Sequence, residues 1–232
     1  MRCLGLDADR YRCASDALPA GYCAEHQSLA RSLDPVPSTP SFLARLTRTG
    51  STPRRVPDHS NFPVPRWLKQ SSTSALVDHL LNNPSAMTRW LAAYALRKRR
   101  DPAAIEALWQ ALRGEPVSLV RQQSAVALGK IGAPAAVSPL VESLWHDADS
   151  AVRQACAVAL GNLGYEIASA HLADALRREP SVFVRWDCAL ALGQIGDGAA
   201  AGTLAEIADV DKSETVRRAC RAAMGEIKER MA

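Results

Sequence analysis

A period of 32 residues runs through the C-terminal two-thirds of this 232-residue chain and constrains its fold more than any other feature. Leucine keeps this period from Leu76 to Leu204, and alanine keeps it from Ala95 to Ala223. Independent columns that hold one register over five copies indicate stacked supersecondary units, because fixed periods of this size are typical of solenoids. Arginine forms a third column, at Arg89, Arg121, Arg153, Arg185 and Arg217.

Each unit is predicted to form two helices. Leucines spaced four apart give stretches such as residues 103–112 one apolar face. The second helix is predicted to begin at a capping residue such as Asp149 and to end about 14 residues later at a glycine such as Gly164. Neither helix buries its apolar stripe alone, so stacking must supply the core. We therefore predict an all-α, right-handed α-solenoid of five helix pairs, at about residues 69–100, 101–132, 133–164, 165–196 and 197–232.

One motif recurs within the units. In the second unit an acid, a Val-Arg pair, Ala-Leu-Gly and Ile-Gly stand at 115, 120–121, 127–129 and 131–132. This pattern resembles HEAT repeats, specifically the short type found in phycobilisome lyases and many bacterial proteins. The resemblance covers about residues 72–232 and implies a buried structural ladder in which acids pair with the five column arginines of successive units. The implied acids are Glu115, Asp147, Glu179 and Asp211, with Asn83 in the acid's place in the first copy.

Three cysteines outside the repeat lie ten residues apart, and a histidine follows the third. Three thiolates and one imidazole match a closed, tetrahedral zinc site with no open position for catalysis. The pattern resembles small Cys3His zinc motifs at the ends of bacterial and phage proteins, and free thiols or a redox pair are the alternative. We expect a structural zinc knuckle at residues 1–32, with zinc held by Cys3, Cys13, Cys23 and His26. The other cysteines share one repeat column and are predicted to lie in the core: Cys156, Cys188 and Cys220.

Residues 33–66 are rich in proline and arginine. Seven prolines between Asp34 and Pro65 disfavour long helices and favour extended backbone. This segment is either a flexible tether for the knuckle or a strap on the first repeat, and we favour the strap because terminal repeats need a cap. The apolar side chains that would hold a strap are Phe42, Leu46, Phe62 and Trp67. Its basic residues are Arg45, Arg48, Arg54 and Arg55.

Candidate partner-binding residues lie directly after the column arginines, where the five copies differ from one another. The second helices are expected to line the concave face, and unlike residues there are typical of a surface that recognises a partner. A solvated, uncommitted face is the alternative. The candidates are Trp90, Gln122, Gln154, Trp186, Asp187 and Arg218. We therefore expect a protein-binding scaffold or adaptor.

Nucleic-acid binding by the zinc knuckle, the linker arginines and a basic cluster is the main alternative. Against it, residues 67–232 hold 19 Lys+Arg and 18 Asp+Glu, and the net charge of the chain is only +4. The basic cluster is Arg97, Lys98, Arg99 and Arg100.

We predict no enzymatic activity, because no nucleophile, base or open metal site is recognisable. The remote alternatives are a HEAT-like lyase and a HEAT-like alkylpurine DNA glycosylase. The glycosylases use an aspartate flanked by tryptophans, which Trp186-Asp187 and Trp90 resemble without any supporting motif. No apolar run is long enough to span a membrane and no secretory signal is recognisable, so we expect a cytoplasmic, bacterial protein without a membrane partner.

Overall fold

The computed structural model describes residues 65–231. The predicted zinc knuckle and almost all of the predicted strap lie outside these residues. Within the described range the chain is all α, with eleven α-helices and no strand, which confirms the predicted fold class. The helices are α1 (Arg66–Gln70), α2 (Thr73–Asn82), α3 (Ala86–Arg99), α4 (Ile105–Gly114), α5 (Ser118–Ile131), α6 (Val137–His146), α7 (Ser150–Leu163), α8 (Ser169–Arg178), α9 (Val182–Ile195), α10 (Ala201–Val210) and α11 (Glu214–Met231).

Five helix pairs form the stack, from α2–α3 to α10–α11. The second helices of units two to four end at glycines that adopt left-handed backbone conformations, with φ of 83° at Gly132, 72° at Gly164 and 79° at Gly196. Glycine reaches this region without the clash that a Cβ atom would cause. The first unit ends in the same way at Arg100, whose φ of 54° is the only positive value at a non-glycine residue within the described range.

A short 3₁₀ turn leads into the first helix of units two to five. Local side chains stabilise two of these turns, because Asp101 accepts a hydrogen bond from the Ala103 N–H and Asp197 accepts one from the Ala199 N–H. The turns are Pro102–Ala104, Pro134–Ala136, Glu166–Ala168 and Gly198–Ala200.

The second helices pack against one another more extensively than the first helices do. Small residues permit this approach: a Cβ atom placed on Gly129 would lie only 2.7 Å from the Cβ of Ala159. Gly161 and Gly193 approach the following unit in the same way. The more closely spaced layer of a curved stack lies on its inside, so this packing favours the expected arrangement in which the second helices line the concave face.

Candidate functional site

A ladder of partly buried ion pairs joins each unit to the next. Arg89 Nε lies 2.7 Å from Glu115 Oε2, and Arg89 Nη2 lies 2.8 Å from Glu115 Oε1. The same guanidinium donates through Nη1 to the carbonyl oxygen of Asn83, six residues earlier in its own unit. Three further pairs repeat this geometry, each with an Arg Nε–carboxylate or Nη2–carboxylate distance of 2.7 Å: Arg121–Asp147, Arg153–Glu179 and Arg185–Asp211.

The ladder charges stabilise one another. The hydrogen bond to the paired acid raises the pKa of Arg89, Arg121 and Arg153 and outweighs the opposing effect of burial. Burial alone would raise the pKa of Asp211, but hydrogen bonds from Arg185 and from a backbone N–H hold it below its ordinary value. These groups are occupied in joining the units, so the arginine column offers no phosphate-binding stripe.

The last arginine of the ladder finds its hydrogen-bond partners within its own unit. Arg217 Nη1 donates to the carbonyl oxygen of Asp211, as in every other unit. Its Nε donates to Glu214 Oε2 at 3.0 Å, in the place where a following unit would supply an acid. Glu214 also accepts from Arg218, and these hydrogen bonds lower the pKa of its carboxyl group. Glu214 was not among the residues predicted from the sequence, although its position three residues before the column arginine is acidic in no other unit.

The six predicted partner-binding residues form two sets that differ in burial. Gln122 and Gln154 are half-buried and Arg218 is exposed. Three others, which we expected on an open surface, are buried: Trp90, Trp186 and Asp187. Packed helices lie only about 8–10 Å apart, so large side chains on the inner side meet residues of their own and the adjacent helix.

Two contacts show this crowding on the inner face. Trp90 stacks on Tyr94 with ring centroids 5.5 Å apart and an interplanar angle of 17°. Gln154 Nε2 donates to Asp187 Oδ2 of the next unit at 2.6 Å. Gln123, which sequence analysis did not include among the candidates, is buried here, and its Nε2 has no hydrogen-bond partner among residues 65–231. The concave face therefore carries amide, aromatic and carboxylate groups.

The basic cluster does not form one open surface. Arg97 is buried with its guanidinium carbon 4.6 Å from the centroid of the Tyr94 ring, and the Lys98 ammonium lies 5.6 Å from the same centroid. Arg99 donates to the carbonyl oxygens of Lys69 and Ser71 and so holds the end of α1. Arg97 and Arg99 are thus engaged in the packing of the first unit, whereas Lys98 and Arg100 are exposed.

Burial makes the three repeat cysteines poor nucleophiles. It is the largest effect on each thiol and raises the pKa of Cys220 to about 12. The pKa values of Cys156 and Cys188 are raised in the same direction by the same cause.

Neither a metal site nor a membrane span occurs in the described part of the chain. Residues 65–231 contain no group of three His, Cys, Asp or Glu side chains that could hold a metal ion. The predicted zinc ligands lie outside that range, so the zinc site stays a prediction. None of the described helices combines the length and the apolar character needed to cross a membrane.

Stacked helix pairs, a continuous core and an inter-unit ladder define a helical repeat protein of the α-solenoid class. The chain belongs to the HEAT-repeat family, whose model matches residues 72–161, 119–186 and 147–225. None of the curated proteins matches this sequence significantly.

The solved structures that are similar to this chain include the following two. One is the complex of CpcE and CpcF of phycocyanin lyase from Nostoc sp. PCC7120, with 26% sequence identity, a TM-score of 0.59, and coverage of 77% of this chain and 71% of that chain. The other is human deoxyhypusine hydroxylase in complex with glycerol, with 23% identity, a TM-score of 0.43, and coverage of 88% and 96%. The second likeness is too weak to carry an argument.

The likeness to a phycocyanin lyase complex contradicts our prediction that the protein is not an enzyme. That prediction depended on the lack of a short catalytic motif. A surface assembled from side chains 32 residues apart carries no such motif, so its absence was the wrong criterion.

Proposed function

We propose that this protein is a protein-binding subunit of a lyase-type enzyme complex, and that its concave face holds an extended segment of a partner protein. The observation that supports this most is the likeness to CpcE and CpcF, which are themselves two proteins in one complex. A HEAT solenoid in such an assembly presents a long surface to another protein.

The chemistry of the concave face suits a peptide. Gln122 and Gln154 are half-buried, and each side-chain amide offers both a donor and an acceptor to the carbonyl and N–H groups of a peptide backbone. Half-buried Val126 and Val158, on the same helices as these glutamines, and Leu190 on α9 offer apolar contact. Amide groups beside small apolar patches satisfy the backbone of an extended segment and bury its side chains.

Such a subunit contributes to catalysis by holding its protein substrate in place. Fixing two reactants relative to one another lowers the barrier of the step that joins or separates them. A scaffold role in the complex and a role in positioning a protein substrate use the same surface.

Nucleic-acid binding has less support. Arg97 packs on Tyr94 and Arg99 holds the end of α1, so the basic cluster does not present its four charges on one open surface. Binding to a nucleic acid would weaken steeply with salt, because it depends on release of counterions.

Site-specific photocrosslinking in cells tests the proposal. A photoreactive amino acid placed at Gln122 or Gln154 is expected to form an adduct with one protein partner. The matched control is Gln110, an exposed glutamine on α4 of the outer layer, where no adduct is expected. Adducts of equal yield from both layers, or none from the concave positions, would refute a concave binding face.

A further inference from the structure

One row of exposed side chains runs along the second helices. Lys130 is the only exposed residue of α5. Beyond their first residues, α7 and α9 also have one exposed residue each, Asn162 and Gln194. Exposed residues occupy the equivalent positions of the first and last units as well. We call this set the inner row: Lys98, Lys130, Asn162, Gln194 and Glu226.

The inner row is continuous from unit to unit, because its side chains reach across to the preceding second helix. Gln194 Oε1 lies 2.7 Å from the position that a Cβ atom on Gly161 would take. Glu226 Oε2 lies 3.0 Å from the corresponding position on Gly193. The row also follows the proposed binding groups along each helix, since Lys130 stands about two turns after Gln122 on α5. A segment held by the glutamines therefore meets the inner row.

The net charge of the inner row lies at one end. Lys98 and Lys130 are positive, and the next two positions hold uncharged amides. At the other end, Glu226 and Arg230 stand one turn apart on α11 and have opposite charges. The row therefore presents two positive charges over the first two units, followed by two side-chain amides.

We propose that the inner row binds a polyproline II segment of a partner protein. Two acidic side chains of the segment, three residues apart, contact Lys98 and Lys130, and uncharged polar side chains contact the amides that follow. This inference rests on the proposed function, because it specifies the sequence and conformation of the segment that the concave face holds. Charge complementarity selects an acidic segment, and the spacing of the units selects its conformation.

The spacing of the second helices matches the repeat of a polyproline II helix. This conformation has three residues per turn and a rise of about 3.1 Å per residue, so every third side chain returns to one face after about 9.3 Å. Packed helices lie about 8–10 Å apart. One side chain in three therefore meets one unit of the solenoid. In a β-strand the side chains of one face are only about 6.6 Å apart and would lose this register after one unit.

The backbone of such a segment also suits the concave face. A polyproline II helix has no internal hydrogen bonds, so its backbone polar groups remain available to a binding partner. The half-buried side chains of Gln122 and Gln154 offer both donors and acceptors to these groups. The glutamines thus hold the backbone, while the inner row selects the side chains.

Fluorescence anisotropy with the full-length protein and a labelled synthetic peptide tests the proposal. The probe is a proline-rich peptide with aspartates at positions i and i+3 and glutamines at i+6 and i+9. An exposed ion pair changes a dissociation constant by about twofold at low salt. Lys130→Glu replaces attraction by repulsion and is therefore expected to weaken binding about fourfold. The matched control is Lys212→Glu, which makes the same charge change at an exposed residue between α10 and α11 and is expected to leave the dissociation constant unchanged.

Two further comparisons test the register. A peptide of the same composition with aspartates at i and i+4 places them on different faces of the polyproline II helix and is expected to bind about twofold more weakly. Asn162→Lys extends the positive charge to the third unit. This variant is expected to bind a peptide with a third aspartate at i+6 about twofold more tightly than the wild type does. A gain in affinity is not a consequence of misfolding.

Equal effects of Lys130→Glu and Lys212→Glu, equal affinities of the two peptides, or absence of binding would each overturn the proposal. Displacement of the peptide by an equal concentration of a thymidine oligonucleotide would also overturn it, because the row would then be a nucleic-acid site. Photocrosslinks at Gln122 and Gln154 report on a concave binding face whatever the sequence of its occupant. The proposed function can therefore stand when this inference fails.

Discussion

The same substitution, Gly→Ala, is predicted to have opposite effects at two equivalent positions of the repeat. At Gly161 an added Cβ would lie 2.8 Å from both Cα and Cβ of Ala191. Carbon atoms prefer separations of about 3.5–4.0 Å, so α7 and α9 would have to separate by roughly 0.7 Å. At Gly225, in the last unit, the added Cβ would meet nothing within 4 Å.

The magnitudes follow from these contacts. Overpacking costs about 1–3 kcal/mol, and a contact with backbone belongs at the upper end because backbone cannot rotate away. Alanine favours a helix over glycine by about 1 kcal/mol. Gly161→Ala is therefore expected to lower the free energy of unfolding by about 2 kcal/mol, and Gly225→Ala is expected to raise it by about 1 kcal/mol.

Chemical denaturation of the full-length protein, followed by far-UV circular dichroism, measures both free energies. The two variants serve as controls for each other, because each adds the same methyl group at the same place in a second helix. Equal or greater stability of Gly161→Ala would refute the close inter-helix approach. A loss of stability in Gly225→Ala would refute the open face at the last unit.

Three further predictions concern the ladder, its pH dependence and the metal. Arg153→Leu leaves the Glu179 carboxylate without its arginine partner and is expected to lower the free energy of unfolding by about 3 kcal/mol. The control, Arg218→Leu at an exposed position, is expected to change it by less than about 0.5 kcal/mol. Equal effects of the two substitutions in chemical denaturation would reject the stabilising role of the ladder. Because pairing holds the pKa of Asp211 below its unfolded value of about 3.9, its stabilisation is complete above that value and is lost as the pH falls through the folded pKa. Asp211→Asn should therefore flatten the acid limb of a stability–pH curve, and an unchanged limb would contradict this. Elemental analysis of protein purified without chelator should find one zinc per protein molecule, and its absence would reject the ligand set Cys3, Cys13, Cys23 and His26.

The sequence predicts the ladder's register because the repeat period determines it. Each acid precedes the arginine of its own unit by six residues, so the acid of the next unit follows that arginine by 26 residues. Arg89 and Glu115 have this separation and form two hydrogen bonds. The ends of the second helices in units two to four were predictable for the same reason, since a repeated glycine such as Gly132 marks a left-handed turn.

Burial on the concave face was not predictable from the sequence. Variation between copies drew attention to positions such as Trp90 and Asp187, yet variation does not reveal exposure. Exposure depends on which side chain of the adjacent helix lies opposite, as Gln154 does for Asp187. That pairing joins residues 33 apart, one more than the period, and therefore belongs to no single column of the repeat.

The packing role of Arg97 and Arg99 in the basic cluster was not predictable from the sequence for a related reason. A run such as residues 97–100 has the composition of a phosphate-binding patch, but its successive side chains point in different directions around the helix. Arg97 consequently packs on Tyr94, while Arg99 reaches the end of α1. A patch requires charges that share a face, and four consecutive helical residues do not share one.

The prediction that the protein is not an enzyme was wrong for a physical reason. Motif searches look for a nucleophile, a base or a metal ligand close together in sequence. In the function proposed for this protein, a solenoid subunit distributes binding groups such as Gln122 and Gln154 over helices 32 residues apart and orients a partner protein with them. Orientation alone supplies a large part of a rate enhancement. For a repeat protein, the question of enzymatic activity therefore has to be asked of the complex in which its concave face is filled.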